Sequence, residues 1–137
     1  MLTLYIIPSD RKEKANVQRA IDSFLPMPGS DKLKVEVLGN RDLHLVEPET
    51  DWYGFLFDVE WLDEKIADAL PVFMANDFDF LIAYKKVTVK GAPKIFFAPR
   101  FFRKEVKLIP HKLIAENEED LKREKILNGW ILEEDRL

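Results

Sequence analysis

At 137 residues, 47% apolar and 34% charged with a net charge of −4, the chain has the size and balance of one globular domain and is neither disordered nor fibrous. The absence of cysteine rules out disulfides and thiolate metal sites and fits a cytoplasmic protein. No apolar run reaches the roughly 18 residues of a membrane helix, and His44 and His111 lie far apart in sequence with no ligand-like spacing, which disfavours zinc.

Leu2 to Ile7 is a short apolar run that ends at Pro8, and it reads as a first, buried strand without a basic leader or cleavage site. Val17, Ala20, Ile21, Phe24 and Leu25 follow at helical spacing, and Pro26, Pro28 and Gly29 stop that helix. Lys34 to Leu38 alternates and predicts a second strand, Gly39-Asn40 a turn, and Leu43 to Val46 a third short strand. Tyr53 to Phe57 is the next strand. A helix is expected from about Leu62 or Asp63 with Leu62, Ile66, Ala69, Leu70 and Phe73 on one face, ended or kinked at Pro71.

Phe78 to Tyr84 is a further strand, and Val87 to Val89, Ile95 to Ala98 and Val106 to Ile109 are separate short ones. The tail from Asn117 reads as a helix, with Asn117 as its cap, Asp120 in a capping-box place and Gly129 interrupting it. Strands alternating with helices and then a run of strands describe an α/β domain with a mixed sheet. Ligands in such sheets sit beyond the carboxyl ends of the strands. Ser9-Asp10, Gly39 to Asp42 and Asp58 to Glu60 all follow strands, so neighbouring parallel strands would gather them at one crevice.

Two features carry chemistry. Asp58 and Glu60 close an apolar strand, and carboxylates at i and i+2 on extended backbone point the same way. Such a pair can hold Mg2+ or Mn2+, both of which favour hard oxygen ligands. The competing reading is a solvated loop in which Glu60 or Asp63 caps the next helix. Between Lys85 and Lys112 nine lysines and arginines face one acid, Glu105, an asymmetry that suits an anionic partner or a peripheral membrane contact. Phe96, Phe97, Phe101 and Phe102 interleave with Arg100, Arg103 and Lys104, which admits a nucleic-acid or protein interaction surface over residues 85–112. Packing of these phenylalanines into the sheet is the weightier reading, and nucleic acid is disfavoured.

These segments together resemble a family. Ile6-Ile7-Pro8-Ser9-Asp10-Arg11 with its helix, Val35-Glu36-Val37-Leu38-Gly39-Asn40, Phe55-Leu56-Phe57-Asp58-Val59-Glu60-Trp61-Leu62-Asp63, Phe78-Asp79-Phe80-Leu81-Ile82-Ala83-Tyr84 and Ala98-Pro99-Arg100-Phe101-Phe102-Arg103-Lys104 stand in the order found in family-two-type glycosyltransferases. The chain is similar to the nucleotide-binding part of those enzymes in a shortened form, with little sequence between Leu38 and Asp51.

The resemblance implies a reduced GT-A fold, a three-layer-like mixed sheet of the nucleotide-diphospho-sugar transferase kind. The resemblance covers roughly the first 110 residues, and the whole chain reads as one domain, 1–137, with a nucleotide-binding-like half over 1–84, basic-aromatic strands over 85–115 and a C-terminal helix over 116–137. A nucleotide-diphosphate sugar would be the donor, with Asp58 and Glu60 holding the divalent ion at the diphosphate. Ser9, Asp10 and Asp42 would lie near the nucleoside, and Arg100 and Arg103 would contact phosphate or an anionic acceptor. No motif selects a catalytic base among Asp79, Glu105 and Glu116, so a relative that has lost the chemistry is a standing alternative.

Overall fold

The computed structural model describes residues 1–116 and 123–137. In chain order the elements are β1 (Leu2–Ile7), α1 (Val17–Asp22), β2 (Lys34–Val37), β3 (Trp52–Phe57), β4 (Glu60–Leu62), α2 (Glu64–Met74), β5 (Phe80–Val89), β6 (Ala92–Arg103) and β7 (Glu124–Glu133). They build one mixed sheet of order β2-β1-β3-β6-β5-β7-β4. β1 runs parallel to both β2 and β3. β6 is antiparallel to β3 and β5, β7 is parallel to β5, and β4 lies antiparallel to β7.

Every residue of β1 is buried, as a strand covered on both faces must be. One face packs under the helices. Leu4, Ile6, Leu56, Leu81 and Phe101 of the sheet meet Ala20 of α1, Phe24 just after it, and Ile66, Ala67 and Leu70 of α2. The other face, with Tyr5, Ile7, Tyr53, Phe55, Phe80 and Phe102, is covered by Leu43, Val106, Leu108 and Ala115 from connecting segments. The third layer is therefore irregular chain among the described residues, not a helical layer. Each large side chain so buried contributes about 1.5–3 kcal/mol.

Local chemistry explains the helix starts. The Asn16 side chain accepts from the Arg19 amide at 3.0 Å and caps α1. Asp63 Oδ1 accepts from the amides of Lys65 and Ile66 at 2.7 and 3.2 Å, and its Oδ2 accepts from the Trp130 amide at 3.0 Å. Asp63 is thus a helix start that also ties α2 to β7.

Several expectations are corrected. Pro71 neither ends nor breaks α2, which continues to Met74. The proline ring removes one amide donor, while Ile66, Ala67 and Leu70 before it and half-buried Phe73 and Met74 after it keep the helix on the sheet. Leu43–Leu45 is a 3-10 turn, not a strand, led by the Asn40 side chain accepting from the Asp42 amide at 2.9 Å. Val106 to Ile109 makes only an isolated bridge, Leu108 to Ala115. Val87–Val89 is part of the long β5, and Ile95–Ala98 lies inside β6, which runs through Pro93 and Pro99. Pro99 is tolerated because β6 pairs with β3 only from Phe101 to Arg103 and because the β5 ladder is irregular at Leu81/Ile82.

The largest correction is at the C-terminus. Residues 124–133, expected to be helical, form β7, with Leu127, Ile131 and Glu133 buried. Asn117 and Asp120, the expected cap residues, lie outside the described residues. Gly129, with φ of 146°, sits where the β5–β7 register shifts between Ile82 and Tyr84. A Cβ there would lie 2.6 Å from Ile66 Cγ1, so the glycine lets α2 approach the strand.

Candidate functional site

Parallel pairing of β1 and β3 brings the segments after Ile7 and after Phe57 side by side. Asp58 joins them: its Oδ1 accepts from the Ser9 amide at 3.2 Å, its own amide donates to Ile7 O, and its carbonyl accepts from the Asn16 amide. Asp58 and Val59 form a turn between β3 and β4. The i, i+2 rule for extended backbone therefore does not operate, and the two carboxylates diverge.

Glu60 points into the molecule and is fully buried. Its Oε1 accepts from the Phe57 amide at 2.7 Å and from Arg100 Nη1 at 2.6 Å. Its Oε2 accepts from Arg100 Nη2 at 2.9 Å and from Lys85 Nζ at 2.6 Å. Burial alone would raise its pKa, but the charges and hydrogen bonds of Arg100 and Lys85 bring it down to about 2. Lys85 Nζ also lies 2.5 Å from Glu133 Oε1. Glu133, on β7, is held by Arg136 through both oxygens at 2.6 and 3.0 Å and by Arg11 Nη1 at 3.0 Å. Burial pushes its pKa up as well, yet Arg136 and Lys85 hold it below the ordinary carboxylate range.

This network floors a cleft of about 360 Å3 whose walls include Ser9, Asp10, Arg11, Arg41, Lys85 and Arg136. Phe57 lies in the same cleft, with the Arg41 and Arg100 guanidinium carbons and Lys85 Nζ 5.4–5.8 Å from its ring centre. Arg41 donates to Pro8 O at 3.0 Å and pairs with Asp10 at 3.2 Å. A separate cleft of about 320 Å3, beside the carboxyl end of β2, is lined by Tyr5, Asn40, Asp42 and Leu45 among others.

Of the residues expected at a donor site, Ser9 and Asp10 line the crevice, and Asp42 lines the second cleft. Arg100 lies beneath the crevice, bound to Glu60. Arg103 is elsewhere. It pairs with Trp52 at the start of β3, sits over that indole at 4.8 Å, and donates to the carbonyls of Phe78 and Asn76. Glu105 lines a cavity at that same opposite end with Asp51 and Trp52, and the Asp79 carbonyl accepts from the Arg103 amide there. Neither acid borders the crevice. His44 and His111, distant in sequence, have ring centres 6.1 Å apart.

The basic-aromatic stretch does not make one face. Phe101 and Phe102 are core, Ile95, Phe96 and Phe97 are exposed, and Arg100 is buried. The metal expectation also meets the donor set poorly. Both Glu60 oxygens are committed to side-chain cations, and among the described residues no three His, Asp or Glu side chains are placed to hold an ion. Five cleft residues escaped the sequence reading: Arg11, Arg41, Lys85, Glu133 and Arg136. One signal was available. In Leu81, Ala83, Lys85, Val87 a lysine occupies an inward position of an alternating strand, which demands a buried carboxylate partner.

The mixed sheet with helices on one face is an α/β fold, and at a coarse level it is similar to that of a solved glycosyltransferase. Among solved structures, TarS of S. aureus, a glycosyltransferase, is similar. Residues 1–349 of TarS superimpose with a TM-score of 0.57 at 13% identity, over 98% of this chain and 60% of that one. The longer TarS structure gives 0.56 at 13% identity over 98% and 37%, and TarS 1–349 in complex with UDP gives 0.54 at 12% over 98% and 60%. This chain thus spans about 60% of the TarS 1–349 length. No protein-family model and no curated protein matches the sequence. Among the described residues no helix is long and apolar enough to cross a membrane.

Proposed function

We propose that the chain binds a nucleotide-diphosphate sugar in the crevice beyond β1 and β3 and serves as a sugar-transferase domain. The observation that carries this reading is the convergence of Arg11, Arg41, Lys85 and Arg136 on one cleft, in a fold like that of a protein crystallised with UDP. Fixed cations at a diphosphate stabilise the charge that develops as a nucleotide leaves the sugar, and they do so most effectively where water is partly excluded. Asn40 and Asp42 offer the neighbouring cleft hydrogen-bonding groups for a base edge or ribose. Arg41 borders the first cleft, and its sequence neighbour Asp42 lines the second.

The positions of Asp79 and Glu105 away from the crevice favour a second reading, a domain that binds a donor without transferring its sugar. Calorimetric titration with UDP, GDP and their sugars tests the shared part of both readings. The expected result is saturable binding of at least one nucleotide, weakened about tenfold or more by Arg41→Ala through loss of charge-assisted hydrogen bonds. Release of free nucleotide from a bound nucleotide sugar separates transfer from binding. Failure of every nucleotide to bind would remove both readings.

A further inference from the structure

One ammonium stands between two buried carboxylates. Lys85 Nζ is 2.6 Å from Glu60 Oε2 and 2.5 Å from Glu133 Oε1, with only 11% of the lysine side chain exposed. Two inward acids gathered around a single cation is the arrangement a divalent ion would create, but the cation here is part of β5. The other oxygens are also occupied. Glu60 Oε1 takes Arg100 and the Phe57 amide, and Glu133 Oε2 takes Arg11 and Arg136. A carboxylate offers about four lone-pair positions, so little capacity is left for a metal. Asp58, the remaining acid of the motif, is turned to the Ser9 amide.

The cations at the rim are differently placed. Arg41 is 40% exposed, and the Asp10 carboxylate that pairs with it is 94% exposed, so that ion pair is weakly held in water. Arg136 is 43% exposed although its guanidinium is held by Glu133. A guanidinium presents two donors in a plane that match two oxygens of a phosphate. An incoming diphosphate can therefore displace Asp10 from Arg41 while Lys85, Arg11 and Arg136 stay fixed by the acids behind them. That fixed set presents positive charge with no reorganisation at the moment of binding.

We infer that this crevice holds a diphosphate without a divalent ion, the built-in ammonium of Lys85 and the guanidiniums of Arg11, Arg41 and Arg136 supplying the charge. The inference rests on the donor-binding reading above and specifies its chemistry. The buried acids Glu60 and Glu133 then have a single task, to hold Lys85 and the arginines in place.

The test is calorimetry of the whole chain with UDP, GDP and inorganic pyrophosphate as probes, first in EDTA and then in excess Mn2+. Nucleoside-diphosphate affinity equal in the two buffers, and reduced about tenfold or more by Arg41→Ala with Arg136→Ala, is the expected result. Lys85→Met removes a charge facing two buried acids and can unfold the chain, so the rim substitutions carry the mutational arm. A second measurement titrates Mn2+ alone and follows its paramagnetic signal. Unchanged free-ion signal is expected, whereas tight binding abolished by Glu60→Gln overturns the inference. Nucleotide binding that appears only with Mn2+ also overturns it while leaving the donor site intact. Absence of binding in both buffers overturns the donor reading itself, and this inference with it.

Discussion

Arg100→Ala lowers the stability of the fold by about 3–5 kcal/mol, the penalty for leaving a buried charge without its partner. Glu60 is fully buried and meets Arg100 through two parallel hydrogen bonds of 2.6 and 2.9 Å. Lys85 remains beside it in the variant, but Lys85 is shared with Glu133 and cannot replace a bidentate guanidinium. The same pair sets the acid response. Because the Glu60 pKa is depressed to about 2 in the fold, its contribution is complete above the unfolded value of about 4.3 and disappears as pH falls toward 2. Urea denaturation at neutral pH and at several points down to pH 2 measures both effects. Wild type loses stability across that window, and Arg100→Ala is already weakened at neutral pH. A difference below about 1 kcal/mol at neutral pH would mean the pair is screened like a surface salt bridge.

Phe101→Ala is expected to cost about 3–5 kcal/mol as well, by a different route, because it empties the centre of the core under the helices. The ring is fully buried, meets Phe24 edge-on at 6.4 Å, and lies directly on Gly54. A Cβ at position 54 would sit 2.5 Å from Phe101 Cδ1, so the glycine exists to let this ring reach the backbone of β3. β3 and β6 share only three ladder pairs, Trp52–Arg103, Tyr53–Phe102 and Gly54–Phe101. The ring therefore holds these two strands together one residue away from Arg100. Phe97→Ala supplies the contrast: that ring is 63% exposed, and its loss is expected to change stability by no more than about 0.5 kcal/mol. Equal effects from the two substitutions, measured by denaturation, would contradict this division between core and surface phenylalanines.

The same division marks what the sequence could and could not reveal. β1, β2 and β3, the start of α2 and the core of β5 were legible because each couples an apolar run of the right period to a clear stop such as Pro8, Gly39 or the Asp63 cap. β7 was not, since its acids and lysines resemble a solvated helix until Leu127, Ile131 and Glu133 are seen facing inward. The crevice was foreseen at the carboxyl ends of β1 and β3, where Ser9 and Asp10 stand. Its chemistry was not, because the partners of Glu60 come from β5 and β6, and those of Lys85 from β4 and β7. Such pairing across four strands leaves no local spacing to read. Asp58 and Glu60 also looked alike only while the backbone between them was taken as extended. The turn at residues 58 and 59 sends one to the β1 loop and the other into the protein.

A crystal structure of the chain with UDP bound tests the donor crevice most directly. The diphosphate oxygens should lie within hydrogen-bonding distance of Arg41 and Arg136, beside Lys85 and beyond the carboxyl ends of β1 and β3. UDP seated instead at the opposite end, against Trp52 and Arg103, would contradict the assignment.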